Sequence, residues 1–254
     1  MLVAKILIGF IAGTMVGMTG LGGGVLLLPM LIFGLGVPPI VAVGSDMVCN
    51  AVCKIGAGYM HWRQNNVNWA VVGGLSMGSV PGVIAGAAVL GHMRALYGVD
   101  INRILKDIIG VLLLVVPCLM LLQGKLRSGL QENRAPTRAF CPGLILIGLV
   151  AGFLVGMTSV GSGSLVMTLL LLVYPFAPRA MVGTDILNAV LMTGVGSFLH
   201  FRMGTVNLDL VAALLIGAIP GGLLGTQLAN RIPAHWLRRV LCGALFLTGA
   251  RMLA

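Results

Sequence analysis

The sequence predicts an all-α, polytopic membrane protein built from two homologous repeats whose first helices are broken by glycine, with the repeats inverted relative to one another. Three observations carry this expectation. Of 254 residues, 58% are hydrophobic and only 9% are charged, a balance that a water-soluble globule of this size does not show. Eight long apolar runs fill the chain, roughly 4–33, 38–60, 69–90, 104–122, 141–173, 180–199, 208–229 and 236–253, and about 20 apolar residues suffice to cross a bilayer. The chain also matches itself: at an offset of 139 residues, Ile8 to Gly86 aligns with Ile147 to Gly225 without a gap, and 26 of the 79 pairs are identical.

The first run and its counterpart, 4–33 and 141–173, are each interrupted. In the first, the glycine cluster in "GMTGLGGG" separates segments 4–19 and 24–35, whose 16 and 12 residues would measure about 24 and 18 Å as helices, too short to span comfortably. Glycine inside a helix costs about 0.5–1 kcal/mol relative to alanine, so the cluster must give the backbone something an unbroken helix cannot. Gly9, Gly13 and Gly17 recur every four residues and suit close helix packing. The denser Gly20, Gly22, Gly23 and Gly24, with Thr19, instead expose backbone N–H groups and the positive end of the following half-helix, a cradle for an anion. The counterpart "TSVGSGS" offers Thr158, Ser159, Gly161, Ser162, Gly163 and Ser164, adding hydroxyl donors that suit an oxyanion such as sulfite or a sulfonate. If each broken run crosses once, every half has four spans and the halves are parallel. If each is two short segments, every half has five and they are inverted, which the distribution of Lys and Arg favours.

The second run places Asp46 about 12 Å along from Pro38, near the bilayer centre, and Asp185 holds the equivalent place in the sixth run. Ionisable residues inside spans are functional candidates by default. Asp46, Asn50 and Lys54 follow at i, i+4 and i+8, one helical stripe; in the other half the stripe reads Asp185, Asn188 and Thr193, without the lysine. Two roles are open for the aspartates. A carboxyl in a low-dielectric site can carry a proton and couple anion movement to a proton gradient, or it can cap broken backbone and hold the fold. Lys54 is the candidate for direct anion contact, with snorkelling to the interface near His61 as the alternative. His61 and Arg63, and His200 and Arg202, form an H-x-R pair at the ends of matching runs and read as interface anchors or a gate.

The third and seventh runs carry matching "PG" steps at Pro81 and Pro220, expected to kink spans. The fourth run leads into a basic segment, in which Lys125, Arg127, Arg134 and Arg138 face a single Glu132, so it is placed in the cytoplasm. The resulting organisation is a first membrane repeat over 1–122, a basic cytoplasmic linker over 123–140 and a second membrane repeat over 141–254. Because the first segment recurs deep in the chain, it is read as structural rather than as a cleaved signal peptide.

Several functions are disfavoured. The formal charge of +10 is spread singly through short connections, with no basic aromatic module, so no nucleic-acid partner is expected. Five cysteines lie in or beside apolar runs with no C-x-x-C pair, so neither a disulfide framework, a metal site nor a cofactor is expected. Cys49 and Cys53, at i and i+4, leave a soft-metal or thiol permease as an alternative. An intramembrane hydrolase would need Ser162 or Ser164 with His200, but "VGSGS" lacks the G-x-S-x-G spacing; the chain is not read as an enzyme.

The duplicated openings "GMTGLGGG" and "GMTSVGSG", the "VGSD" and "VGTD" spans, the H-x-R ends and the "PG" spans resemble the TauE/SafE family of membrane permeases across nearly the whole chain. The resemblance implies a secondary transporter in the cell inner membrane that exports sulfite or a related small organosulfur or sulfur oxyanion, compatible with proton coupling. A passive anion channel is the alternative. The partners are then the anion, protons and the lipid bilayer, and a homo-oligomer is compatible with the sequence. The second opening carries serines where the first has glycines, so the halves need not contribute equally.

Overall fold

A computed structural model describes residues 2–19, 24–126, 141–174, 178–229 and 234–253. The described residues are helical, with no strand among them: α1 Leu2–Thr19, α2 Gly24–Pro29 continued by a π-helical turn Met30–Gly34, α3 Pro39–Arg63, α4 Trp69–Tyr97, α5 Ile101–Leu126, α6 Pro142–Thr158, α7 Ser164–Val173, α8 Pro178–Arg202, α9 Leu208–Ala229 and α10 Ala234–Leu253. Five of them, α3, α4, α5, α8 and α9, contain stretches long and apolar enough to cross a membrane. The expected interruption in the second half falls where its glycines cluster, α6 being separated from α7 by Ser159–Gly163, whereas the one expected in the first half, at 20–23, lies outside the described residues. α5 runs through Leu126, four residues into the segment read as a linker, because Gln123–Leu126 contains no helix breaker beyond Gly124. Residues 127–140, with Arg127, Glu132, Arg134 and Arg138, lie outside the described residues, as do Gly20, Gly22 and Gly23.

Local chemistry sets the helix ends. Pro39 and Pro142 stand in the first turns of α3 and α6, where the missing N–H removes nothing the helix uses. Asn68 Oδ1 accepts from Val71 N at 3.1 Å and Asn207 Oδ1 from Leu210 N at 3.0 Å, capping α4 and α9 in the same way. The turns before them need a left-handed residue, Asn65 (φ 53°) after α3 and Gly204 (φ 66°) after α8.

The helices pair across the chain rather than within its halves. α1 packs along α9, α4 along α6, α3 against α8 and α5 against α10. Glycine sets the closest approaches. A Cβ at Gly9, Gly13 or Gly17 would run into the backbone of Leu214, Ala218 or Gly222 on α9, and one at Gly148, Gly152 or Gly156 would run into Leu75, Ser79 or Val83 on α4. Shifting both partners of the first set by 139 residues, upward for α1 and downward for α9, produces the second set. Polar contacts recur likewise: Asn68 N donates to Thr184 Oγ1 at 3.0 Å, and Asn207 N to Ser45 Oγ at 3.1 Å. Pro81 and Pro220 lie inside α4 and α9. Buried apolar side chains fall into two clusters, one centred on α2, α3, α5 and α10, the other on α4, α6, α7 and α8.

Candidate functional site

The polar residues of the interior gather around α3. Asp46 is fully buried, and its Oδ2 accepts from Asn50 Nδ2 at 2.9 Å, one turn on, and from Ser159 Oγ at 2.6 Å, in the break between α6 and α7. Ser159 reaches it because its backbone is left-handed (φ 59°), which ends α6 and turns the chain. The first residue of α2 arrives at the same point: a Cβ on Gly24 would stand 2.7 Å from Asp46 Oδ2 and against the Ser159 carbonyl. Glycine is therefore required at position 24 for the first broken segment to meet both the carboxyl and the second broken segment.

Two turns along from Asp46, Lys54 points inward. It is 9% exposed, and its Nζ donates to the Ser162 carbonyl at 2.9 Å and to Ser162 Oγ at 2.7 Å, so it does not snorkel to the interface. Neither serine that a hydrolase would need, Ser162 or Ser164, pairs with His200, whose Nε2 meets the Gly156 carbonyl at 3.0 Å and whose Nδ1 meets Thr205 Oγ1 at 3.1 Å.

The remaining predicted residues divide. Gly161 (φ 97°) and Gly163 shape the α6–α7 break, and their carbonyls accept from Leu165 N and Met167 N at the start of α7. Thr158 Oγ1 accepts from Val160 N at 3.3 Å and donates to Leu154 O, so it serves the local backbone. Ser164 Oγ is buried with no partner among the described residues, and Asp46 Oδ1 and Asp185 Oδ1 share that condition. Asn188 does not join the Asp185 stripe: its Oδ1 accepts from Ser79 at 2.9 Å and Ser76 at 3.3 Å on α4. Thr193, opposite Lys54 in the repeat, donates back to Ala189 O. Arg63 lies 5.9 Å from the Tyr59 ring and Arg202 6.0 Å from the Phe198 ring, so the H-x-R arginines sit over aromatic rings at helix ends. Thr19 closes α1; its side chain lies outside the described residues.

Sequence reasoning passed over Ser45, Thr184, Ser76 and Ser79. The first two were readable, since a hydroxyl precedes the aspartate in both "VGSD" and "VGTD". Among the described residues no group of three His, Cys, Asp or Glu could hold a metal ion, and all five cysteines are free.

The family model "Sulfite exporter TauE/SafE" matches residues 5–252. The chain belongs to the TauE/SafE sulfite exporter family. This TauE/SafE protein is 35% identical to the probable membrane transporter protein YjnA of Bacillus subtilis over the full length of both chains. It is 25% identical to the probable membrane transporter protein YunE of Bacillus subtilis, over 99% of this chain and 97% of that one. A probable membrane transporter protein of Methanocaldococcus jannaschii is 24% identical over 98% of this chain and 94% of its own. No solved structure matches. The TauE/SafE chain is thus a multi-pass membrane transporter, with the buried Asp46–Lys54 stripe meeting the start of α2 and the α6–α7 break.

Proposed function

We propose that this TauE/SafE protein is a secondary transporter of the cell inner membrane that exports sulfite or a related small organosulfur or sulfur oxyanion, with coupling to protons. The observation that carries the reading is Lys54: a buried cation in the middle of an apolar helix, its Nζ held by Ser162 of the broken α6–α7 segment. A charge at that depth is expensive and is kept where an ion must be met. An oxyanion would take Lys54 from Ser162 and accept from the serine hydroxyls and N–H groups of the loop, with Gly24, at the start of α2, against Ser159 from the other half.

The two halves, 1–122 and 141–254, act in this reading as inverted repeats of five helices each, joined by the basic linker 123–140. The exchanged pairs α1–α9 and α4–α6 support the repeat itself, because a shift of both partners by 139 residues turns one interface into the other. Alternating access would then rock the two exchanged pairs about the loops.

The test is sulfite efflux from proteoliposomes holding the purified protein. Wild type should release sulfite, and Lys54→Met should lower the flux by roughly tenfold to a hundredfold, the worth of a charge-assisted contact of about 1.5–3 kcal/mol. Equal flux in the two proteins would refute the role given to Lys54. A wild-type flux that saturates with sulfite would argue against a passive channel.

A further inference from the structure

The two halves differ in the second part of their broken segments. α2 passes at Pro29 into the π-helical turn Met30–Gly34, whereas the matching stretch of α7 has Thr168 in place of the proline and runs on as regular α-helix to Val173. Pro29 has no N–H to give to the turn before it, which loosens the helical ladder where the wider π turn begins. Between this turn and the end of α10 lies a cavity of about 250 Å³, whose walls include Pro29, Met30, Phe33, Leu247, Thr248 and Arg251.

One group in these walls is charged. Arg251 stands in the last turn of α10 with its guanidinium carbon 5.2 Å from the centre of the Phe33 ring, and among the described residues nothing accepts a hydrogen bond from it. Thr248 turns away, its Oγ1 donating to Ala244 O on its own helix at 2.7 Å. Leu247 is 74% exposed, so the cavity opens on the apolar outside of the bundle. The helix ends at this level carry Lys5, Arg94, Arg103, Lys106, Arg202 and Arg251 against Asp100, Asp107 and Asp209, a balance that favours an anion. The feature is not duplicated: at the 139-residue offset Phe33 faces Leu172, and at the offset that pairs Gly110 with Gly243 Arg251 faces Cys118.

We propose that this cavity seats an anionic phospholipid, its phosphate held by Arg251 and an acyl chain laid against Met30, Phe33 and Leu247. A guanidinium presents two parallel N–H donors to a phosphate, and here the Phe33 ring already orients its plane, so little side-chain freedom is lost on binding. An arginine with no counter-ion at the edge of the apolar zone is costly, and a phosphodiester at headgroup depth supplies the missing charge. The chain attached to it fills a groove whose walls are otherwise apolar. Because the π turn continues α2, the lipid also braces the helix whose first residue, Gly24, stands against Asp46 and Ser159.

The experiment titrates the purified full chain in detergent with dioleoyl phosphatidylglycerol or dioleoyl phosphatidylcholine and counts bound lipid by native mass spectrometry. The two lipids share their acyl chains and differ in net headgroup charge. Wild type should hold a phosphatidylglycerol roughly tenfold more tightly than a phosphatidylcholine, the worth of one charge-assisted contact. Arg251→Gln should bind the two alike, and since Arg251 is exposed at a helix end its replacement leaves the core intact. Met30→Trp, which fills the cavity and keeps the guanidinium, should weaken both lipids. Arg202→Gln, which removes a guanidinium from the Phe198 ring at another helix end, should keep the wild-type preference. Equal binding of the two lipids by wild type, a preference that survives Arg251→Gln, or one lost as fully in Arg202→Gln would overturn the inference. So would unchanged lipid affinity in Met30→Trp, or a dimer that parts on Arg251→Gln with no change in bound lipid, which would give the groove to a second copy of the chain.

Discussion

Replacing Ser159 probes the clasp that joins α3 to the break between α6 and α7. Two consequences of the residue can be separated, because Ser159 both donates to Asp46 at 2.6 Å and holds a left-handed backbone at φ 59°. Ser159→Ala removes the donor and keeps the backbone cost; for a hydrogen bond to a charged group that amounts to about 1.5–3 kcal/mol. In a chain of this size a loss of 1 kcal/mol lowers Tm by about 2–4 °C, so the variant should melt about 3–12 °C lower. Ser159→Gly loses the same bond but recovers about 1 kcal/mol, since glycine adopts the left-handed region freely. It should therefore melt above Ser159→Ala. Thermal unfolding in mixed micelles gives these values, and a double-mutant cycle with Asp46→Asn isolates the pair. A coupling of at least about 1 kcal/mol is expected; effects that add within about 0.5 kcal/mol, or Ser159→Ala melting above Ser159→Gly, would refute the clasp.

Two further predictions use the same unfolding assay. Gly152→Val should cost about 1–3 kcal/mol or more, because its Cβ would press on the backbone of Ser79 and drive α6 away from α4, whereas Gly243→Ala, with nothing within 4 Å, should be neutral or stabilising by up to about 1 kcal/mol; equal effects would sink the close-packing account. His200→Ala should lose about 2–3 kcal/mol, since a buried imidazole bridges the Gly156 carbonyl and Thr205, while His61→Ala, whose Nδ1 has no partner, should lose under about 1 kcal/mol; a larger loss at His61 would contradict the asymmetry.

Much of the scaffold was legible in the sequence because membrane spans announce themselves by length and composition, and the break between α6 and α7 by its glycines. The small-xxx-small face of Gly9, Gly13 and Gly17 does meet backbone on α9. Asn50 was readable as a partner of Asp46, since residues four apart on a helix are offset by only about 40°. Asn188, three residues from Asp185, was not: its position turns about 60° away, towards α4, where Ser76 and Ser79 claim it, and a single helix pattern does not say which neighbour covers that face. Nor did spacing reveal that Lys54 would reach Ser162, 108 residues away, because the contact depends on how α3 packs against the second broken segment.

Where the two halves agree and where they differ follows from what each residue must satisfy. Gly9 and Gly148, Gly13 and Gly152, Gly17 and Gly156, and the capping Asn68 and Asn207 are identical at the 139-residue offset. Each pair meets the same backbone constraint twice, once in α1–α9 or its loops and once in α4–α6, so neither member can change without opening an interface. The groups that hold charge are under no such double constraint. Asn50 faces Ala189, Lys54 faces Thr193, Ser159 faces Gly20 and Ser162 faces Gly23 in the alignment. In the proposed export of one small anion, one cation and one set of donors suffice, and a second lysine would add an unpaired charge in the bilayer interior at a cost of several kcal/mol. The positions at which the repeat fails to match are therefore the ones to mutate first in search of the transported ion.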